Sequence, residues 1–268
     1  MLFRSRRLGL DVITQPDTFF FNSYLTEHHK LPYTPDNFPF EINYGYHFDA
    51  TKLADLLKQH CVDKLNVDYV SGHIGSIKSS SDGYIEKLIT ECGKEIVGDL
   101  FIDCSGSSGL LIDKHFNVPW IPVKRTMLND RAVALQVPYS NEDAEIKSTT
   151  VATAQTCGWT WDIALQHRRG VGLVYSSQFT NEEQAKQVLI DYVRERYPSA
   201  QDAELSFRTL SFEPGYRSQF WVKNCLSLGM SSGFVEPLEA SAIAMVELGL
   251  RMLCEAFPQN KAHMEIAS

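Results

Sequence analysis

The sequence predicts an α/β fold interrupted by a β-rich region. Three observations predict it. Two stretches, 99–112 and 224–245, each run from an apolar strand through a glycine-bearing turn into a helix start. Between them the pattern is mostly strand, at 131–137, 149–156, 159–165 and 171–177. The chain has 268 residues, 44% of them hydrophobic and 22% charged, which is the composition of a globular protein with an ample core.

Taken in order, the opening Met1–Arg7 is basic, without a cap or a strand pattern, and reads as a tail. Residues 8–45 are rich in aromatics and proline and show no sustained period, so an irregular packed segment is expected. Asp49 then caps a helix whose Ala50, Leu53, Ala54, Leu57 and Cys61 form one apolar stripe. Short strands follow near 67–70 and 73–78. The turn Ser81-Asp82-Gly83 joins the second of these to a strand at 84–90 as a hairpin. The buried strand 99–104 leads through Ser105–Gly109 to a short helix, Leu110 to His115.

Beyond the β-rich stretch, Thr180 and Glu183 form a capping box. The helix they start carries Ala185, Val188, Leu189, Tyr192 and Val193 on one face. A strand pair at about 205–212 and 219–228 returns the chain to the second glycine turn, Gly229–Gly233. A long, almost wholly apolar helix then runs to Phe257.

The formal net charge of −8 argues against nucleic acid or an anionic membrane as the main partner. The six cysteines form no CxxC pair and none sits at zinc spacing, so buried reduced thiols and no metal are expected. No apolar run reaches membrane-spanning length and no signal peptide opens the chain, so the expected compartment is the cytoplasm.

The chemistry-bearing feature is the pair of glycine turns. A helix N-terminus offers unpaired N–H groups and the positive end of a dipole, and glycine lets backbone approach a ligand. Such a turn suits a pyrophosphate, a ribityl chain or a small anion, or it is an ordinary strand–helix connection. The familiar GxGxxG fingerprint is absent from the sequence.

Six strings of residues go further: Tyr44-Gly-Tyr-His-Phe-Asp-Ala50, Asp99-Leu-Phe-Ile-Asp-Cys-Ser-Gly106, Gly158-Trp-Thr-Trp161, Val174-Tyr-Ser-Ser177, Phe220-Trp-Val-Lys-Asn-Cys225 and Gly233-Phe-Val-Glu-Pro-Leu-Glu239. In this order, from about residue 40 to residue 258, the chain resembles the tryptophan halogenase family of flavin-dependent enzymes. The Trp-x-Trp pair and the Gly-Phe-x-Glu-Pro-Leu-Glu string are the specific marks. The Asp-Cys-Ser-Gly turn is shared with aromatic hydroxylases of related fold.

The resemblance implies a glutathione-reductase-like flavin-binding fold of the aromatic-hydroxylase type, lacking its N-terminal βαβ unit and carrying a β-rich substrate-side insertion. On that reading 1–43 is the irregular segment and 44–118 part of the flavin domain. The β-rich region is 119–222, the chain returns to the flavin domain over 223–258, and 259–268 is a truncated tail. The resemblance implies FAD as cofactor, reduced by a separate flavin reductase. Reduced flavin and oxygen oxidise chloride or bromide, and a lysine delivers the halogen to an aromatic small molecule or peptide, such as an indole. Asp103 and Gly106 would lie beside the flavin, with Gly229, Ser231, Ser232 and Gly233 on its other side. Glu239 matches the active-site glutamate, and the amides of Ser241 and Ala242 match the halide site. His47 and Phe48 match the substrate wall, and Trp159 and Trp161 the signature tryptophans.

Read from the residues alone, each of these has a plainer alternative. Glu239 lies in the first turn of an apolar helix, where a carboxylate gains about 0.3–1 kcal/mol from the dipole as a mere cap. Trp159 and Trp161 share a strand face and serve equally as core. His47, just before a helix cap, suits a satisfied structural histidine. The chain also departs from the family: Ile163 is followed by Ala164 rather than proline, and Glu239 by Ala240-Ser241-Ala242 rather than Ser-Thr-Gly. The delivering lysine and the first flavin turn are not in this sequence, so the chain is expected to be an incomplete piece, inactive alone. A flavin-dependent aromatic monooxygenase of the same fold and a catalytically silent fragment stay open as alternatives.

Overall fold

The computed structural model describes residues 20–39, 41–141, 144–198 and 205–267, without the side chains of Glu239 and Ala267. Met1–Arg7 lies outside the described residues. The fold is α/β, and the chain divides into two compact units. The first comprises 1–60, 133–173 and 183–208; the second comprises 61–132, 174–182 and 209–268.

Near the start, helix α1 (Phe21–Glu27) precedes α2 (Ala50–Leu65), whose first N–H groups are capped by Asp49 Oδ1 at 3.0 Å from Thr51 N. The cap is where the sequence places it. The apolar stripe behind it is not buried, however, and Leu56, Leu57 and Leu65 stand exposed.

The described strand residues of the first unit all belong to one five-stranded sheet. Its strands are β6 (Arg131–Pro138), β7 (Val151–Gln155), β8 (Gly158–Ala164), β9 (Arg168–Tyr175) and β10 (Arg208–Ser211), in the order β10-β6-β9-β8-β7. β9 is central, and Val171, Leu173 and Val174 are fully buried there. β7 and β8 form a two-residue hairpin through Thr156 and Cys157. Helix α3 (Glu182–Arg196) buries Ala185, Leu189, Tyr192 and Val193, four of the five residues on the face the sequence predicts. The hydroxyls of Tyr192 and Tyr197 donate to the buried carboxylate of Asp162 on β8. Burial and that carboxylate hold the Tyr197 hydroxyl protonated far above the usual range.

The second unit carries three small sheets. β1 (Ile74–Ser79), β2 (Ile85–Thr90) and β3 (Glu95–Val97) form an antiparallel meander. The hairpin turn is the predicted one, with Gly83 at φ 84° donating to Ser80 O. β5 (Trp120–Pro122), β11 (Gly215–Arg217) and β14 (Gly233–Phe234) form the second sheet. The third holds β4 (Phe101–Asp103), β12 (Trp221–Val222) and β13 (Cys225–Ser227), with β13 parallel to β4. Asn224, buried beneath it, donates to Ile85 O and Asp99 O and accepts from Ile85 N, tying the first sheet to the third.

Helices α4 (Ala242–Glu255) and α5 (Lys261–Ala267) end the chain. An all-apolar helix is ordinarily enclosed. Here only Leu253 of α4 is buried, while Met245 and Met252 are 63% and 69% exposed.

Three expected elements are absent. Residues 67–70 form no strand. Leu110–His115 is a run of turns: the Leu111 and Ile112 N–H groups bond the Asp103 carboxylate, and beyond them Lys114 N reaches Gly109 O and Phe116 N reaches Leu111 O, five residues back rather than four. The strands near 205–212 and 219–228 do not pair: β10 joins β6, and 221–227 folds into the β12–β13 hairpin. All six cysteines are free thiols, but only Cys225 is buried, so burial is not their common property.

Asp130, just before β6, is a buried anchor of the second unit. Its carboxylate accepts from Ser177 N at 2.8 Å, Ser177 Oγ at 2.7 Å and Lys124 Nζ at 2.7 Å, with Arg131 at 3.4 Å. Burial alone would raise its pKa; the bond from Lys124, those from Ser177 and the charge of Arg131 outweigh that and hold it at about 2. The folded value lies below the unfolded one, so the stabilisation is present above pH 4 or so and is lost as pH falls towards 2. It is worth about 2 kcal/mol. Asp130→Asn should lose that amount in urea unfolding at pH 7 and show a flatter stability profile below pH 4. An unchanged acid profile would refute this account.

Candidate functional site

The residues singled out in the sequence fall into two groups, one in each unit. In the second unit the C-terminal ends of the parallel neighbours β4 and β13 each open into a 3₁₀ turn, Gly106–Ser108 and Gly229–Ser231. The two turns are therefore side by side, as the repeated strand–turn pattern predicts. Ligands of α/β sheets bind at such strand ends.

Asp103 holds them together. Its Oδ1 accepts from Ser105 N at 3.0 Å and Ser105 Oγ at 2.6 Å. Its Oδ2 accepts from Leu111 N and Ile112 N, both at 2.8 Å. Its carbonyl accepts from Leu228 N at 3.0 Å and from Ser231 Oγ. Burial would raise the carboxyl's pKa, but the bonds from Ser105, Ile112 and Leu111 outweigh it and keep it below the ordinary range. With that many donors engaged, the side chain shapes the turn, and a ligand would meet the backbone it organises. Burial, then the Asp103 charge, pushes the neighbouring Cys225 thiol up to about 12, which makes it an inert packing group.

The other members differ among themselves. The single Ser231 Oγ proton is shared between Asp103 O and Leu228 O, and Ser232 Oγ donates to Gly229 O at 2.7 Å, so both hydroxyls close the second turn. Gly233 packs against Gly215 O, where a Cβ would sit at 3.1 Å. Gly106 and Gly229 are the open positions. Their φ angles are 70° and 67°, a region that favours glycine. A Cβ at Gly106 would meet nothing within 4 Å, and one at Gly229 would touch only Val246 of α4 at 3.7 Å.

That last contact brings in the third predicted piece. α4 lies on the second glycine turn, with Gly249 against Leu228. Before it, Pro237–Glu239 makes a 3₁₀ turn and Ala240 takes a left-handed conformation at φ 49°. Ser241 is the N-cap of α4 without a side-chain capping bond, and Ala242 is its first residue. The side chain of Glu239 lies outside the described residues.

One residue of this neighbourhood escaped the sequence reading. Arg217 is 5% exposed; it ion-pairs with Asp113 at 3.0 Å and donates to Val118 O and Ser231 O. It thereby links the chain after the first turn to the second turn. An arginine amid Gly-Tyr-Arg-Ser carries no local sign of burial, because its partners are 99 and 14 residues away.

The first unit carries the remaining four. His47 Nδ1 contacts Ala164 O at 3.3 Å and Nε2 contacts Thr150 Oγ1 at 3.1 Å. A carbonyl only accepts, so Nδ1 bears the hydrogen, and in the neutral ring Nε2 accepts from Thr150. Phe48 is half exposed. Asp49, next along, also pairs with Arg168 at 3.3 Å. Trp159 and Trp161 lie on one face of β8 with ring centroids 6.2 Å apart. Trp161 packs on the bare backbone of Gly172 and lines an open cleft of about 590 Å³ with Gln136, Arg168, Gly170, Phe207 and Arg208. It is thus both a packing residue and the wall of a cavity. Among the described residues no group of three or more His, Cys, Asp or Glu could hold a metal ion.

Comparison with known proteins agrees with the motifs. A family model described as tryptophan halogenase matches residues 17–267. The tryptophan 7-halogenase KtzQ of Kutzneria sp. (strain 744) is 37% identical over 82% of this chain and 40% of its own length. The tryptophan 7-halogenase RebH of Lentzea aerocolonigenes is 38% identical over 81% and 40%. Among solved structures, a tryptophan halogenase from Shewanella frigidimarina NCIMB 400 superposes with a TM-score of 0.86 at 40% identity, covering 96% of this chain and 49% of that one. BrvH, a flavin-dependent halogenase from Brevundimonas sp. BAL3, gives 0.84 at 30% identity, covering 99% and 53%. The chain spans 40% of the length of the two curated relatives.

The Trp161–Gly172 contact is testable. A Cβ at position 172 would stand 2.1 Å from Trp161 Cζ2, so Gly172→Ala must displace the indole. The expected cost is about 1–3 kcal/mol with a shifted tryptophan emission. The cost should shrink in a Trp161→Phe background. An equal cost in both backgrounds would show that the ring is not what the glycine accommodates.

Proposed function

The chain belongs to the tryptophan halogenase family, and from that premise we propose that the whole protein halogenates an electron-rich aromatic, tryptophan or another indole. It uses FAD, oxygen and chloride or bromide, with the reduced flavin supplied by a separate reductase. The observation that carries this reading is the pair of adjoining glycine turns at the ends of β4 and β13, with α4 packed on the second through Val246 and Gly249. A flavin fits the residues present. Gly106 and Gly229 combine positive φ with uncrowded Cβ directions, that of Gly106 open and that of Gly229 facing Val246 at 3.7 Å, so a ligand can lie against the backbone at Gly106. When bound, flavin supplies the two-electron oxidation of halide with oxygen.

This chain's residues supply part of the site around the flavin. The backbone around Gly106 and over Gly229–Gly233 holds the cofactor, while Asp103, Ser231 and Ser232 keep those turns in shape. The amides of Ser241 and Ala242, at the positive end of α4, hold the halide. Glu239 matches the family's active-site glutamate and orients the oxidant or stabilises the positive charge of the reacting aromatic. His47, Phe48, Trp159 and Trp161 belong to the substrate side. The alanines at 164, 240 and 242 depart from the family's pattern and favour an indole other than free tryptophan.

In the full-length protein, Glu239→Gln should cut halogenated product far more than it weakens flavin binding, measured by product mass and flavin absorbance. A helix-capping role alone predicts about 1 kcal/mol of lost stability with near-normal turnover. Normal turnover would remove Glu239 from the catalytic assignment.

FAD also needs its pyrophosphate received at a βα turn with glycines of its own. The apolar face of α4 is uncovered besides. The 268-residue chain expressed by itself should therefore be colourless, poorly soluble and inactive, and should bind a hydrophobic dye. The full gene product should be yellow and should brominate indole when given reduced flavin. A yellow, halogenating 268-residue protein would overturn this assignment.

A further inference from the structure

We propose that Asn129 is a positioning residue for the halide turn, acting through Glu236. The inference rests on the halide reading of Ser241 and Ala242. Glu236 belongs to the signature string Gly233–Glu239, yet no catalytic or binding role above uses it. It is the N-cap of the Pro237–Glu239 turn, where a carboxylate commonly bonds to its own turn. It makes no such bond. Instead Asn129 Nδ2 donates to both of its oxygens, at 3.3 Å and 3.1 Å, across 107 residues of sequence. A donor held between both oxygens of one carboxylate fixes that carboxylate's direction as well as its distance.

Both ends of this contact are stiff. Asn129 precedes Asp130, which is 2% exposed and held by Ser177, Lys124 and Arg131. Backbone bonds Asp130 N to Tyr175 O and Phe212 N to Asp130 O add to that hold. Glu236 precedes a proline, which confines it to extended backbone, observed at φ −77° and ψ 136°, and fixes the φ of the next residue. The 236–239 segment thus moves as one piece. Directly after it Ala240 stands at φ 49°, a conformation an alanine holds only when its surroundings impose it. From one side α4 imposes it, seated on Gly229 and Leu228. From the other side the Asn129–Glu236 contact does. The amides of Ser241 and Ala242 lie between these two fixed points, so their direction depends on both.

The test is halide binding in the flavin-free full-length protein, followed by the chlorine NMR line width of chloride with bromide as competitor. Asn129→Asp sets a carboxylate against that of Glu236 and should weaken chloride binding about tenfold with the fold retained by circular dichroism. The exchanged pair, Asn129→Asp with Glu236→Gln, restores an amide-to-carboxylate bond with the partners reversed. It should return the affinity to within about twofold of the wild type. Equal affinity in the wild type and Asn129→Asp overturns the positioning role while leaving the halide site standing. So does a loss that the exchanged pair does not repair. A wild-type protein that does not broaden the chloride line overturns the halide reading and this inference together.

Discussion

The second unit depends on the pairing of β4 with β13 and on the single residue that ends β4. A parallel pair of three residues each is a weak sheet by itself. Asp103 extends it past the last strand hydrogen bond. Its carbonyl takes the Leu228 N–H and the Ser231 hydroxyl from the second turn, and its carboxylate takes three N–H groups and a hydroxyl from the first. Both turns are referred to one buried group. An asparagine would place an amide where only acceptors serve, and alanine would leave the Leu111 and Ile112 N–H groups without partners. A carboxylate kept ionised by backbone donors is the natural solution, and it is why burial does not raise this pKa.

Around that node the protein uses two kinds of polar anchor. Asn224 and Arg217 satisfy backbone groups, Asn224 between the first and third sheets and Arg217 between the chain after β4 and the second turn. Asp130 is a charge cluster instead, with Lys124 and Arg131 offsetting a buried acid. Such groups direct the chain more than they stabilise it, since their desolvation consumes much of the attraction. Apolar burial accompanies them, with Ile85, Phe101, Leu111 and Cys225 in one buried cluster and Tyr84, Trp221, Leu226 and Leu228 in another, and it is also deep on β9 and on the inner face of α3. α4 inverts the usual distribution: the most apolar helix of the chain keeps most of its side chains exposed.

What could be read from the sequence was local. The Ser81–Gly83 hairpin, the Asp49 cap, the face of α3 and the two strand-to-glycine turns are each coded within a few residues, and each is present. The errors came from competition over long range. The pattern of Leu110–His115 is helical, but the segment is tied to Asp103 at its start and closes through wider turns, Lys114 N to Gly109 O and Phe116 N to Leu111 O. Residues 205–212 read as half of a hairpin, yet β10 found β6 across more than seventy residues. Val67 and Tyr69 have strand-forming side chains but form no strand. Arg217 and Asn224 were invisible for the same reason: nothing within a short window says that a polar residue will be enclosed. The candidate site followed the same division. Its glycines and the start of α4 were legible because they are punctuation in the sequence. The groups that hold them were not.

The signature string Gly233–Glu239 shows why motif and mechanism should be kept apart. Gly233 lets the chain lie close to Gly215, where a Cβ would meet Gly215 O at 3.1 Å, which is a packing reason. Phe234 stacks edge-on against Phe212 at 5.1 Å, and Glu236 takes Asn129. Pro237 sets the backbone before the turn. Four of the seven residues therefore have a local physical reason that involves no chemistry. In the proposed function chemistry falls to Glu239 and to the two amides that follow Ala240, and these would be useful only if the preceding residues deliver them in one orientation. A halide offers no shape or hydrogen-bond donors by which to be recognised, only charge and radius. Selection must then come from rigidly aimed N–H groups, and the rigidity has to be built by the residues that never touch the ion.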